Sequence, residues 1–98
     1  MQNAQVKTDK SAEPVVYVID DDAEMRSALV DLFTVTNKRT SAFPNGLEFL
    51  KRADVNAPGC IVVDMRMPGG SGLDLQSQLL ALGSKLPLIF ITAHADVP

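Results

Sequence analysis

The chain has 98 residues, a hydrophobic content of 46% and a formal net charge of −3. This length predicts one small domain with a packed core. The acidic balance argues against a surface that binds nucleic acid. No apolar run is long enough to cross a bilayer. The single cysteine, Cys60, excludes an internal disulfide.

The first residues, up to Pro14, are polar and of mixed charge. They lack the apolar core of a secretory signal, and we expect residues 1–13 to form a flexible leader. Cys60 lies in a predicted strand, where it is expected to be a small core residue in a reducing compartment. Together these features predict a cytoplasmic protein.

The first half of the chain predicts a strand, a helix, a strand and a short helix. Residues 15–20 form a β-branched run typical of a buried parallel strand. A helix capped by Asp22 follows to about residue 36, with one apolar stripe at helical spacing: Met25, Ala28, Leu29, Leu32 and Phe33. Residues 39–43 predict a weak edge strand. Residues 46–53 predict a short helix that packs three side chains inward: Leu47, Phe49 and Leu50.

The second half repeats the alternation. Residues 60–64 predict a third buried strand, and a loop rich in proline and glycine follows it. Residues 72–82 predict a helix that stops at Gly83, with one face formed by Leu73, Gln76, Leu79 and Leu80. A fourth strand is expected from about residue 86 or 87 to Thr92.

Strands that alternate with helices imply right-handed βαβ units and a parallel sheet. We expect the flavodoxin-like α/β class, with helices on both faces and strand order 2-1-3-4. The fold is expected to be incomplete, with about four strands, because Asp96 to Pro98 resemble the start of another helix. An apolar fourth strand left at the edge predicts that the chain is part of a larger unit.

Chemically useful side chains end three of the predicted strands. Asp20 and Asp21 end the first strand, Asp64 ends the third and Thr92 ends the fourth. Ligands of open α/β sheets lie at this edge, and clustered carboxylates favour a hard cation such as Mg²⁺. Asp64 is the candidate nucleophile for an aspartyl-phosphate, and Thr92 could donate its hydroxyl to a phosphoryl oxygen.

Three segments carry a resemblance to a known family: VIDDDAEMR (18–26), VVDMRMPGGSGLDL (62–75) and IFITAHADVP (89–98). Across residues 15–98 the chain resembles the receiver domain of two-component response regulators, in the FixJ-like branch of the CheY-like superfamily. Residues 14–98 are therefore expected to form a partial receiver domain, lacking the last αβα portion of a (βα)5 fold.

The resemblance implies that Asp64 accepts a phosphoryl group from a sensor histidine kinase. The implied Mg²⁺ ligands are Asp21 directly, Asp20 mainly through water, Asp64 and the backbone carbonyl of Arg66. The resemblance implies that Thr92 and Ala93 contact the phosphoryl group. It also implies a loop that shapes the site and contains Met65, Met67, Pro68 and Gly72. It implies a phosphoacceptor rather than an enzyme, with at most Mg²⁺-dependent autophosphorylation, and DNA binding by a separate output domain. The lysine that the family carries on its fifth strand has no counterpart in this chain.

Two alternatives remain open. The chain could be an interaction module that no longer uses phosphate, with homodimers formed through the exposed fourth strand or by exchange of an element. A phosphatase of the haloacid-dehalogenase type would need a second aspartate two residues after the nucleophile, where Arg66 stands. Two other residues are expected to have ordinary structural roles. His94 is expected to be a loop residue, and Arg26 is expected to be solvated or paired at the surface.

Overall fold

The computed structural model describes residues 13–65 and 72–91, so the predicted leader lies outside it except for Glu13. Strands and helices alternate through these residues. They are β1 (Val15–Ile19), α1 (Ala23–Val35), β2 (Arg39–Phe43), α2 (Gly46–Arg52), β3 (Gly59–Asp64), α3 (Gly72–Ala81) and β4 (Leu88–Ile91). None of the helices in this part of the chain is long and apolar enough to cross a bilayer.

The four strands form one parallel sheet in the order β2-β1-β3-β4, which confirms the predicted order. β1 lies between β2 and β3, so that Val18 has Ala42 beside it on one strand and Val62 on the other. Because the strands are parallel, their carboxyl ends share one edge. Asp64 ends β3 at this edge, and Asp20 directly follows β1 there.

One face of the sheet carries the main hydrophobic core, which lies under α2 and α3. Alternate strand residues join helix and loop residues in it: Val15, Tyr17, Ile19, Phe43, Phe49, Ile61, Val63, Leu75, Leu79 and Leu86. The fully buried ring of Phe49 meets the rings of Tyr17 and Phe43 edge-on, at centroid distances of 5.2 and 5.6 Å. Edge-to-face contacts add to the gain from burial.

The inward faces of α2 and α3 differ from the prediction. On α2, Phe49 is buried and Leu50 packs against the core as predicted, whereas Leu47 is 62% exposed. Three members of the predicted stripe on α3 are exposed: Leu73, Gln76 and Leu80. The buried residues of α3 are Leu75 and Leu79, which lie four positions apart and therefore share one helix face. Helical spacing was compatible with several stripes, and packing against the sheet selected this one.

The opposite face of the sheet is covered over β1 and β2 by α1. No residue of α1 is buried, and Leu32 and Val35 are 54% and 79% exposed. Ile89 of β4 lies in register with the buried Val62 and is 52% exposed. Cys60, expected in the core, is only half-buried. Within the described part of the chain, this second face is apolar but lightly packed.

Two local features fix how the elements join. Asp22 caps α1 as predicted, because its side chain accepts hydrogen bonds from the backbone N–H groups of Glu24 and Met25. Gly59 begins β3 against β1, where a Cβ atom would clash with the carbonyl oxygen of Val15. Glycine therefore allows the two central strands to approach each other at their amino ends.

Candidate functional site

Three carboxylates come together at the carboxyl edge of the sheet. Asp20 and Asp21 follow β1, Asp64 ends β3, and one oxygen of each carboxylate lies within 4.8 Å of those of the other two. Asp20 and Asp64 are fully buried, whereas Asp21 is exposed. The central pairing of β1 with β3 brings these residues together although they lie far apart in the sequence.

The environment of Asp20 disfavours a free carboxylate. Burial raises the pKa of the Asp20 carboxyl, and the negative charges of Asp64, Asp21 and Asp22 raise it further. The backbone N–H of Asp22 opposes this rise in pKa, because it donates a 2.9 Å hydrogen bond to Asp20 Oδ1. Asp20 Oδ2 is buried and has no hydrogen-bond partner in the described residues. An ionised Asp20 is therefore costly unless a cation neutralises it.

The donor set fits a hard divalent cation. Carboxylate oxygens are preferred by Mg²⁺, which commonly combines one or two carboxylates with waters and phosphate oxygens. The unpartnered Oδ2 atom of Asp20 is available as a ligand or as an acceptor for a metal-bound water. The exposed Asp21 places the cluster next to solvent, which leaves a route for a phosphorylated group.

The loop from β1 to α1 is held in place by hydrogen bonds from Asp22 and Arg26 to Asp20. Asp22 caps the helix, and its N–H contacts Asp20 Oδ1. Arg26 reaches back from the first turns of α1, and its Nη1 donates a 2.7 Å hydrogen bond to the carbonyl oxygen of Asp20. Arg26 was expected to be solvated or paired at the surface, but it is half-buried and bonded to a backbone carbonyl oxygen. A cation near a helix N-terminus, six residues after an aspartate, was the signal in the sequence.

Two predicted loop residues lie in the described part of the chain. Met65 follows Asp64, is exposed, and donates its backbone N–H to the carbonyl oxygen of Ile91 at 3.0 Å. This hydrogen bond ties the residue after the candidate nucleophile to the end of β4. Gly72 is the first residue of α3. The other predicted site residues lie outside the described residues: Arg66, Met67, Pro68, Thr92 and Ala93. His94 does as well.

The sequence profile of the family described as "Response regulator receiver domain" matches residues 16–98. Nodulation protein W of Bradyrhizobium diazoefficiens is 40% identical over 91 residues, which are 93% of this chain and 40% of that relative. Transcriptional regulatory protein FixJ of the same species is 39% identical over 83 residues, which are 85% of this chain and 40% of FixJ.

A solved structure of response regulator StyR superposes with a TM-score of 0.80 at 42% identity. The match covers 89% of this chain and 44% of the StyR chain. The chain thus spans less than half the length of these relatives, and the similarity concerns the unit that carries the acidic cluster.

Proposed function

Because the chain belongs to the family of response regulator receiver domains, we propose that Asp64 accepts a phosphoryl group from a sensor histidine kinase at a site that holds Mg²⁺. The observation that carries this proposal is the cluster of Asp20, Asp21 and Asp64, with oxygens within 4.8 Å of one another. We assign residues 14–98 to the receiver unit and residues 1–13 to a leader, and we place the protein in the cytoplasm.

The residues of the proposed site supply the nucleophile, the cation ligands and the contacts to the phosphoryl group. Asp64 is the nucleophile, because it ends a central strand and its carboxylate belongs to the cluster. Asp20, Asp21 and Asp64 hold the cation, together with the backbone carbonyl of Arg66. The phosphoryl group is contacted by Thr92 and Ala93, and the loop around the site contains Met65, Met67, Pro68 and Gly72.

In the proposed transfer, a carboxylate oxygen of Asp64 attacks phosphorus, and the bond from phosphorus to the imidazole nitrogen of a phosphohistidine breaks. Mg²⁺, when bound, offsets negative charge on the phosphoryl group. The hydrogen bond from Met65 to Ile91 holds the end of β3 against β4, which limits the movement of the nucleophile. The reaction modifies the chain itself, so the domain is a phosphoacceptor and not an enzyme that turns over a substrate.

The test is the intact mass of the protein after incubation with Mg²⁺ and acetyl phosphate, which supplies the phosphoryl group and leaves as acetate. We expect one phosphoryl adduct on the wild type and on Asp31→Asn, which removes an exposed carboxylate of α1 away from the cluster. We expect no adduct on Asp64→Asn or after removal of Mg²⁺ with a chelator. An adduct that survives Asp64→Asn contradicts the proposal, as does a folded wild type that acquires none.

The relatives are longer than this chain, and the name of one of them suggests the output. FixJ is named a transcriptional regulatory protein, and the matched region covers 40% of it. We propose that phosphorylation of Asp64 controls transcription through a DNA-binding domain in a longer protein. The net charge of −3 is consistent with a segment that does not contact DNA itself.

A second candidate function is protein interaction through β4, including homodimerisation. It is favoured by Ile89, which is 52% exposed on a strand that pairs with β3 alone among the described residues. Light scattering after gel filtration, over a range of protein concentrations, tests it. A dimer lost in Ile89→Lys and kept in Leu47→Lys, an equally drastic change at an exposed residue of α2, supports this candidate. A monomer at every concentration contradicts it.

A further inference from the structure

Arg26 sits in an unusual electrostatic position. It lies four residues after the cap Asp22, and its backbone N–H donates to the carbonyl oxygen of Asp22 at 2.9 Å, which opens the helical hydrogen-bond pattern. Cations are disfavoured near a helix N-terminus because the helix dipole is positive there. The half-buried Arg26 therefore needs a compensating partner. The structure supplies one in the Asp20 carbonyl oxygen, 2.7 Å from its Nη1.

Asp20 is held from three directions. Its backbone N–H donates to the carbonyl oxygen of Phe43 in β2 at 3.2 Å, its Oδ1 accepts from the N–H of Asp22, and its carbonyl oxygen accepts from Arg26. Only the first of these bonds comes from the sheet. The bond from Arg26 is the one that ties the Asp20 backbone to a side chain of α1, while Asp20 Oδ2 stays unpartnered in the described residues.

From this geometry we propose that Arg26 is a positioning residue for the cation site: it holds the Asp20 carbonyl and thereby sets the direction of the Asp20 and Asp21 carboxylates. The inference rests on the proposed Mg²⁺ site. Partners that orient metal ligands typically change metal affinity by about 10- to 100-fold when removed. The contact acts through the backbone, so Arg26 itself touches neither the cation nor the phosphoryl group.

Removal of the Arg26 guanidinium should change the Mg²⁺ affinity in opposite directions for a positioning role and for a simple charge effect. The positive charge of Arg26 by itself repels a cation, so its removal would tighten Mg²⁺ binding if charge were all that mattered. If positioning dominates, removal of the guanidinium weakens binding although it removes a positive charge. A residue that only stabilises the fold would change the unfolding temperature and leave the Mg²⁺ affinity of the folded protein unchanged.

The experiment is a calorimetric titration of the 98-residue chain with Mg²⁺, at a temperature where far-ultraviolet circular dichroism shows each variant folded. We expect Arg26→Met to bind Mg²⁺ about tenfold more weakly than the wild type. Lys51→Met is the matched control, since it removes one positive charge from α2, where the Lys51 ammonium lies 4.0 Å from the Glu48 carboxylate. Its Mg²⁺ affinity is expected to match that of the wild type.

Arg26→Lys provides a second variant if Arg26→Met does not fold. It keeps the charge but loses the planar, multiply donating guanidinium, so we expect a weakening smaller than that of Arg26→Met. Equal or tighter Mg²⁺ binding by folded Arg26 variants overturns the inference and leaves the proposed function intact, provided that the wild type binds Mg²⁺ and forms the Asp64 adduct. A wild type that binds no Mg²⁺ overturns the proposed metal site and the inference together.

Discussion

The two faces of the sheet use the same four strands but are packed very differently. The face under α2 and α3 buries large side chains such as Phe49 and Leu79 completely or nearly so. The face under α1 has no buried helix residue, and it leaves Leu32 and Val35 largely in solvent. Both faces are apolar in sequence, so the pattern of hydrophobic residues alone does not determine how densely a face is packed.

The acidic site lies with the lightly packed face. Side chains alternate along β3, so Asp64 points to the same side as the buried Val62 and the half-buried Cys60, away from the main core. Charged groups inside a dense apolar core would lack both water and a route for a cation. One face of this sheet therefore supplies the stability of the domain, while the other supports the charged site. Four substitutions can break or sharpen this comparison.

The largest expected effect is that of Phe49→Ala, on the densely packed face. Loss of a fully buried aromatic ring leaves a cavity and lowers the free energy of unfolding by about 3–5 kcal/mol. Chemical denaturation measures the loss. Leu47→Ala on the same helix is the matched control and should change stability by no more than about 0.5 kcal/mol, because Leu47 is mainly exposed. Similar losses in the two variants would contradict the assignment of the core.

Gly59→Ala tests the close approach of β1 and β3, the two central strands of the sheet. The new Cβ would clash with the Val15 carbonyl oxygen, so β1 and β3 must separate at their amino ends, which costs about 1–3 kcal/mol. Thermal unfolding gives the change. Gly46→Ala is the control, because its Cβ would meet Leu75 at an ordinary 3.5 Å. An unchanged unfolding temperature in Gly59→Ala would mean that the strands do not approach as closely as described.

Asp20→Asn is expected to stabilise the Mg²⁺-free protein at neutral pH, by on the order of 1 kcal/mol, because a buried charge is removed. The pKa of Asp20 is raised in the folded state, so protonation favours folding and the wild type becomes relatively more stable as pH falls through that raised pKa. The advantage of Asp20→Asn should therefore shrink in acid. Urea denaturation at neutral and acidic pH measures it.

Asp31→Asn is the control for this pH dependence, since Asp31 is exposed on α1. The stability of the Asp31→Asn protein should follow that of the wild type at both pH values. If Asp20→Asn instead destabilises the Mg²⁺-free protein at neutral pH, the Asp20 charge is compensated by a contact other than a bound cation.

The smallest effect is expected for Leu32→Ala on the lightly packed face. Leu32 is 54% exposed, so the free energy of unfolding should change by no more than about 0.5 kcal/mol. Chemical denaturation under the same conditions as for Phe49→Ala makes the two faces directly comparable. A loss of several kcal/mol would show that something covers α1 in solution.

The sequence alone was sufficient for the layout of the sheet and for the carboxylates at its edge. Short β-branched runs separated by helical periodicity specify parallel strands, and the handedness of βαβ units limits their order, which the structure confirms as 2-1-3-4. The Asp22 cap also followed from local chemistry. These features depend on neighbouring residues or on rules common to all α/β sheets, so they can be predicted without knowing the packing.

Tertiary structure decided which side chains are buried. Of the predicted inward residues of α2, Phe49 is buried and Leu47 is exposed, and only the folded loop between β1 and α1 shows that Arg26 reaches the Asp20 carbonyl oxygen. The angle at which each helix lies on the sheet selects one of several possible apolar stripes, and the density of packing on each face depends on contacts between residues distant in sequence. Burial of Asp20 and Asp64, which makes the acidic cluster a candidate cation site, arises only when β1 and β3 pair.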